Sequence, residues 1–110
     1  DLVVSLMANA YTFADAEIVR CSLTVLGRAG IAETDINGIV DYSLWWVVCQ
    51  DMFQLYFDDR QHLEREWKRI KATLQCLIER SNEDGFLKLE DNDWVFIDWA
   101  EGEDKTTALQ

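Results

Sequence analysis

Apolar residues recur at helical spacing along most of the chain and predict four helical segments. Residues 1–13 are apolar on most sides, and residues 15–29 carry one apolar face. Residues 44–57 are apolar nearly all round, which is typical of a helix buried on several sides. Residues 60–80 have one apolar face and several charged ones. The last two segments therefore predict an inner helix backed by an outer helix.

Polar residues at the segment boundaries predict where helices begin and end. Asp15 is expected to be the N-cap of the second segment, because a carboxylate can accept hydrogen bonds from the free N–H groups of a first turn. Asn37-Gly38 predicts a turn in the connector that follows. Asp58-Asp59 is expected to end the third segment and to cap the fourth.

The fourth segment has the clearest amphipathic pattern. Its apolar positions are spaced 4, 3, 4 and 3 residues apart, at Leu63, Trp67, Ile70, Leu74 and Leu77. This spacing predicts that the five side chains face the core together. His62, the single histidine, lies beside charged residues and is expected to be solvated rather than catalytic.

Inner and outer helices of this kind alternate in two-layered α/α toroids and solenoids. No internal sequence repeat is visible, so this architecture is inferred from the burial pattern alone. An inner helix that is apolar on all sides needs more neighbours than three other helices supply. Residues 1–110 are therefore expected to be part of a larger domain, truncated at both ends.

A short β-hairpin is predicted near the C-terminus. After a turn at Asp84-Gly85, the stretches FLKL and WVFIDW flank the acidic stretch EDND. A two-stranded hairpin is marginal alone, so it is expected to pack on the helices. The predicted fold is thus all-α, with two helical hairpins from a toroid and one small β-hairpin.

The charge is negative and unevenly placed. The chain has 21 acidic and 10 basic residues, for a net charge of -11. Residues 90–104 alone contain seven acids and no Lys or Arg. Without a basic patch, the chain is expected to bind neither nucleic acid nor an anionic membrane surface. Its apolar runs are also too short to span a membrane.

The sequence contains no recognisable metal or cofactor motif. Cys21, Cys49 and Cys76 are 28 and 27 residues apart, which matches no zinc pattern, and they are expected to be buried free thiols. Asp91-Asn92-Asp93 lacks the glycine and glutamate of a calcium loop. No phosphate-binding, GxSxG or HExxH motif is present. We therefore expect no metal and no cofactor.

Two stretches combine aromatic residues in a way that allows two interpretations. The adjacent Trp45-Trp46 pair could be core packing, or one ring could offer its face to the C–H face of a sugar. In DWVFIDWAEGED, residues 93–104, Asp98 could be an exposed acid at a strand edge or could accept hydrogen bonds from ligand hydroxyls. In a strand, Trp99 would lie on the opposite face from Asp98.

Four stretches together resemble a known family. DYSLWW (41–46), the amphipathic helix, NEDGFL (82–87) and DWVFIDWA (93–100) resemble, in that order, the six-hairpin catalytic domain of bacterial α-L-rhamnosidases, glycoside hydrolase family 78. The resemblance covers most of the chain. It implies an (α/α)6 barrel that hydrolyses terminal α-L-rhamnosyl bonds with inversion, using one carboxyl group as general acid and another as general base.

The resemblance assigns neither catalytic carboxylate to this chain. The general acid would lie a few residues before Asp1, and the general base would lie in a loop beyond Gln110. The resemblance does assign substrate-binding roles. Asp1 resembles an acid that contacts sugar hydroxyls, and Asp98 and Trp99 resemble an Asp-Trp pair that lines the rhamnose pocket. Asp41 and Trp45 lie near the rim of the same pocket.

The expected function is therefore substrate binding within an α-L-rhamnosidase, with the isolated chain inactive. Its expected partners are a rhamnosylated glycan or glycoside and the remainder of its own domain, or further copies of itself. Another (α/α)6 glycosidase and a helical-repeat interaction module, which would dock through the acidic segment, stay open as alternatives. Family members are often exported, so the resemblance points to a periplasmic or extracellular location, which the residues themselves do not indicate.

Overall fold

The computed structural model describes residues 2–29, 34–90 and 93–96, and this part of the chain is mostly helical. In the described part, 72% of the residues are helical and no β-sheet forms, which confirms the all-α fold. The described ranges include the four α-helices α1 (Leu2–Thr12), α2 (Ala16–Leu26), α3 (Val40–Phe57) and α4 (Arg60–Glu79). A single 3₁₀ turn, Gly27–Ala29, follows α2 directly.

Both predicted aspartate caps are confirmed. The Asp15 carboxylate accepts hydrogen bonds from the backbone N–H groups of Glu17 and Ile18, at 3.0 and 3.2 Å. Asp59 accepts one from the N–H of His62 at 2.9 Å and so begins α4. Between the helices, Asp58 ends α3 in the left-handed conformation, with φ at 46°. Two consecutive aspartates therefore make the tight corner between α3 and α4.

The nearly all-apolar helix, α3, lies at the centre and packs against each of the other three α-helices. This confirms the prediction that it is buried on several sides. The core around it consists of Trp46, Cys49 and Phe53 from α3, with Leu6, Val19, Leu23, Ile36 and Ile70 from the other segments. Removing large apolar side chains from water is the dominant stabilising term in a fold of this size.

Trp46 fastens α3 to the end of α2. Its indole Nε1 donates a hydrogen bond to the carbonyl oxygen of Leu23 at 2.9 Å, so the buried ring leaves no unpaired donor. The ring also lies directly against Gly27. A Cβ added at Gly27 would lie 2.7 Å from Cζ2 of Trp46, closer than any normal contact. Glycine is thus required here by space, since its φ of -75° suits any residue.

Gly27→Ala is therefore expected to reduce the free energy of unfolding by about 1–3 kcal/mol, the usual cost of overpacking a core. Urea unfolding followed by circular dichroism measures this. The matched test is the same substitution in a Trp46→Phe background, where Cζ2 is gone and the cost should shrink. An equal cost in both backgrounds would show that the clash is not with the indole.

The face that α4 buries differs from the predicted apolar stripe. Ile70 and Leu77 are buried as expected, and Leu63 packs against the core, but Trp67 and Leu74 are 49% and 39% exposed. The residues that α4 buries are His62, Glu66, Ile70, Thr73 and Leu77. Three of these five are polar, and one of the three, His62, has a polar partner on a neighbouring helix, Gln50 of α3. The expectation that His62 is solvated was therefore wrong, because this side chain is only 2% exposed.

The three cysteines also differ from one another. Cys49 is buried, as predicted, and burial raises the pKa of its thiol to about 11. Cys76 is half-buried, and Cys21 is exposed on α2. The prediction of buried free thiols is thus confirmed for Cys49 and wrong for Cys21, because α2 turns that side of itself away from α3.

Beyond α4, the chain pairs with its neighbours through single bridges. Leu87 forms an antiparallel bridge with Ser81 across the turn that contains Gly85, and Trp94 forms a parallel bridge with Ile39. These are contacts with two different segments. The predicted β-hairpin also involves residues 91–92 and 97–99, which lie outside the described residues, so it stays a prediction.

Candidate functional site

The start of α3 is joined to the segment 93–96. The backbone N–H of Val40 donates to the carbonyl of Trp94 at 2.9 Å. The backbone N–H of Phe96 donates to Oδ1 of Asp41, also at 2.9 Å. The rings of Tyr42 and Phe96 meet edge to face, with centroids 6.3 Å apart. Residues 93–96, the described part of DWVFIDWA, thus meet the beginning of DYSLWW, and the residues in contact are more than fifty positions apart in sequence.

Arg80 connects the segment before α3 with the segment 93–96 through two ion pairs. Its guanidinium donates to Asp35 at 3.1 Å and to Asp93 at 2.8 Å, and all three side chains are largely buried. Burial opposes the charge of Arg80, but the hydrogen bond with Asp35 and the charge of Asp93 outweigh it and raise the pKa of Arg80. The connector before α3 and the segment after α4 are thereby tied together. Sequence reasoning missed Arg80, since nothing marks it except its place after an amphipathic helix.

An apolar groove of about 470 Å3 opens beside the start of α3. It is lined by Leu2, Val3 and Val4 of α1, Leu26 of α2, Ile36 and Asn37 of the connector, and Tyr42, Trp45 and Trp46 of α3. Trp46 is 1% exposed and belongs to the core, whereas Trp45 is 52% exposed. Trp46 thus fits the interpretation as core packing, and Trp45 is the ring that could offer its face to a ligand.

The groove has the chemistry of a site for a small ring-shaped ligand. Its volume falls in the usual range for ligand pockets, about 300–1,000 Å3. The exposed indole of Trp45, which lies in the same wall as the half-buried ring of Tyr42, can receive the weakly positive C–H face of such a ligand. The Asn37 amide, held in the left-handed turn before Gly38, and the Tyr42 hydroxyl can exchange hydrogen bonds with it. None of the described lining residues is charged.

Two of the five predicted substrate-binding residues can be located. Asp41 and Trp45 lie one turn apart on α3, which places both at the same end of that helix. One Asp41 oxygen is used by the N–H of Phe96, and Trp45 lines the groove. The other three, Asp1, Asp98 and Trp99, lie outside the described residues, so whether they converge on one pocket stays a prediction.

Sequence reasoning missed the other groove residues. Asn37 was read only as a turn residue, and Tyr42 was not singled out although it lies inside DYSLWW. The aliphatic residues of α1 that line the groove cannot be recognised from the sequence, because residues of the same type form ordinary hydrophobic cores. A groove between elements distant in sequence is visible only once the helices are packed.

A second, smaller cavity of about 240 Å3 lies between α2 and α4. Three arginines and two glutamates line it together with uncharged residues: Arg20, Arg28, Arg65, Glu17 and Glu66. Arg20 is already paired with Asp59 at 2.7 Å. The charges that line this cavity are therefore of both signs, and two of them, Arg20 and Glu66, are already paired with residues outside the lining.

Among the residues that the structure describes, no group of His, Cys, Asp and Glu could hold a metal ion. Within the same residues, no helix is both long enough and apolar enough to cross a membrane. Comparison of the chain with family models, with curated proteins and with solved structures gives no match.

Proposed function

We propose that the chain is part of the catalytic barrel of an α-L-rhamnosidase-like glycoside hydrolase, to which it contributes substrate-binding residues. The observation that carries the proposal is the hydrogen bond from the N–H of Phe96 to Asp41. It brings together the two stretches on which the family resemblance depends most, beside a groove with an exposed tryptophan.

Uncovered apolar faces support the larger barrel. At helical spacing, α1 exposes Val4, Met7 and Tyr11, α3 exposes Trp45, Val48 and Leu55, and α4 exposes Trp67, Leu74 and Ile78. Soluble monomers rarely expose so many large apolar residues in rows. In an (α/α)6 barrel, each hairpin is covered on both sides by the next ones. The remainder of the same domain is therefore the partner that we propose for these faces.

The groove suits a deoxy sugar. Rhamnose carries a methyl group where most hexoses carry a hydroxymethyl group, so one edge of its ring is apolar. Trp45 would pack against that edge or against the C–H face, and Asn37 and Tyr42 would bond to ring hydroxyls. Asp41 is not among the residues that line the groove, so it would contact the sugar only at the rim, where its second oxygen would accept a hydrogen bond from a hydroxyl group.

In this proposal, the general acid and the general base are residues outside the given 110. An inverting glycosidase needs a general acid and a general base about 6.5–9.5 Å apart, with a water between the base and the sugar. The chain would hold the sugar while these two groups act on it. The isolated 110 residues are therefore expected to bind weakly and to turn over nothing.

The test is to express the gene from which the chain derives at full length and to measure hydrolysis of an aryl α-L-rhamnoside. We expect turnover with inversion, seen by NMR as the anomer first released, and none by the 110-residue chain. Asp98→Ala should lower kcat/KM about 10–100-fold, the value of a lost charged hydrogen bond. Asp51→Ala, an exposed acid on α3, is the control. No turnover, or an unchanged rate with Asp98→Ala, would contradict the proposal.

Two alternatives have their own support. Another glycosidase with the same barrel would show the same groove, and a panel of aryl glycosides with other sugars separates it from a rhamnosidase. A helical-repeat interaction module would also expose apolar rows like those on α1 and α4. Such a module predicts that the full-length protein cleaves no glycoside in the panel.

A further inference from the structure

The single histidine forms a polar contact inside the apolar core. His62, in the first turn of α4, lies with its Nε2 2.8 Å from Oε1 of Gln50 on α3. Both side chains are buried, at 2% and 3% exposure. The imidazole ring meets the ring of Phe53 edge-on, with centroids 5.0 Å apart. This contact thus belongs to the packing between α3 and the beginning of α4.

The hydrogen bonding of this contact is incomplete. Within the described structure, Nδ1 of His62 and Nε2 of Gln50 are both buried and have no partner. A neutral imidazole needs one donor and one acceptor partner, whereas an imidazolium ion presents two donors. Protonation would therefore place a charged N–H in the core with no oxygen to receive it. A buried charge without such a partner is strongly unfavourable.

The charges around His62 oppose one another. Burial lowers the pKa of His62, and Arg65 and Arg20 act in the same direction, while Glu66 and Asp59 raise it. From α3 the ring meets the uncharged Gln50 and Phe53. Each carboxylate is itself paired, Glu66 with Arg69 and Asp59 with Arg20. Their attraction for an imidazolium ion is thereby weakened, and the neutral ring is favoured in the fold.

We propose that the buried contact between His62 and Gln50 is an acid-sensitive latch, in which protonation of His62 releases the beginning of α4 from α3. At neutral pH the uncharged ring completes the core. In acid the ring must reach water to hold its proton, and it can do so only if the first turns of α4 move away from α3. Because none of the residues that form the latch lines the groove, the latch does not depend on the proposed glycosidase function.

The test uses the whole 110-residue chain, in which a single histidine gives an unambiguous imidazole C–H signal in NMR. We expect this signal to titrate below the ordinary value of 6.5 in the folded chain and close to it in concentrated urea. Backbone amides of residues 60–66 should exchange faster, relative to their intrinsic rates, just below the folded midpoint than just above it. Amides of α1 should change less.

Two variants make the test specific. Gln50→Glu places a carboxylate in the position of the amide oxygen and should raise the His62 midpoint above that of the natural chain. His62→Gln cannot titrate, so its urea midpoint should fall less on acidification than that of the natural chain. A folded His62 that titrates at or above 6.5, or an equal fall in both chains, would overturn the proposal. If His62→Gln does not fold, the titration of the natural chain alone decides.

Discussion

Trp46→Ala is expected to lower the free energy of unfolding by about 3–5 kcal/mol, the range observed when large core aromatics are truncated. Trp46 lies in the centre of the core with 1% of its surface exposed. It contacts Gly27 at the end of α2, and its indole N–H satisfies the carbonyl of Leu23. The substitution leaves a large cavity and removes one of the two hydrogen bonds that the Leu23 carbonyl accepts, the other coming from the N–H of Gly27.

The adjacent residue supplies a matched control for this prediction. Trp45→Ala removes the same atoms from the same helix, but Trp45 is 52% exposed and should cost much less stability. Urea unfolding of the two variants, followed by circular dichroism, compares them directly. According to the proposed function, Trp45→Ala in the full-length enzyme should instead raise KM for the rhamnoside. Equal losses of stability would mean that the assignment of core and groove to the two rings is wrong.

Asp59→Ala is expected to lower the free energy of unfolding by about 2–4 kcal/mol, the combined value of an N-cap and a charge-assisted hydrogen bond. Asp59 caps α4 through the N–H of His62 and also binds Arg20 of α2 at 2.7 Å. One carboxylate thus begins one helix and ties it to another. Its largely buried position separates it from surface ion pairs, which contribute little.

The neighbouring aspartate provides the control, and pH provides a second test. Asp58→Gly keeps the left-handed corner that glycine favours, so it should be nearly neutral. The hydrogen bond from the N–H of His62, followed by Arg20, holds the pKa of Asp59 below its ordinary 3.8. The unfolded chain therefore binds the proton more readily, and the stabilisation present above pH 3.8 is lost as the pH falls through the folded value. The difference in the free energy of unfolding between the natural chain and Asp59→Ala should therefore shrink as the pH falls from 3.8 through the folded pKa of Asp59.

The same reasoning separates Asp59 from His62. Since the pKa of His62 is also lowered, the unfolded chain takes up this proton first, and stability begins to fall as the pH drops below about 6.5. The loss due to Asp59 begins only at a more acidic pH. Stability measured against pH should therefore fall in two stages, and His62→Gln should remove the upper one.

Sequence reasoning located part of the candidate site because two motifs carry it. DYSLWW and DWVFIDWA directed attention to Asp41 and Trp45, and the structure joins those stretches through Asp41 and Phe96. The sequence alone did not identify Asn37, Tyr42 or Arg80 as members of the same region. Their roles arise from contacts across the connector and between helices, and a single sequence contains no record of which segments become neighbours.

The sequence by itself determined the helices. Apolar spacing specified α3 as the central helix, and Asp15 and Asp59 marked where α2 and α4 begin, because caps and periodicity are local properties. Only the tertiary structure decided how α4 is rotated, so that His62 is buried and Trp67 is exposed. Periodicity describes the faces of one helix relative to each other. Which face turns inward depends on the side chains that the neighbouring helices present. Here His62, which the local pattern predicts to be exposed to water, is buried and contacts Gln50.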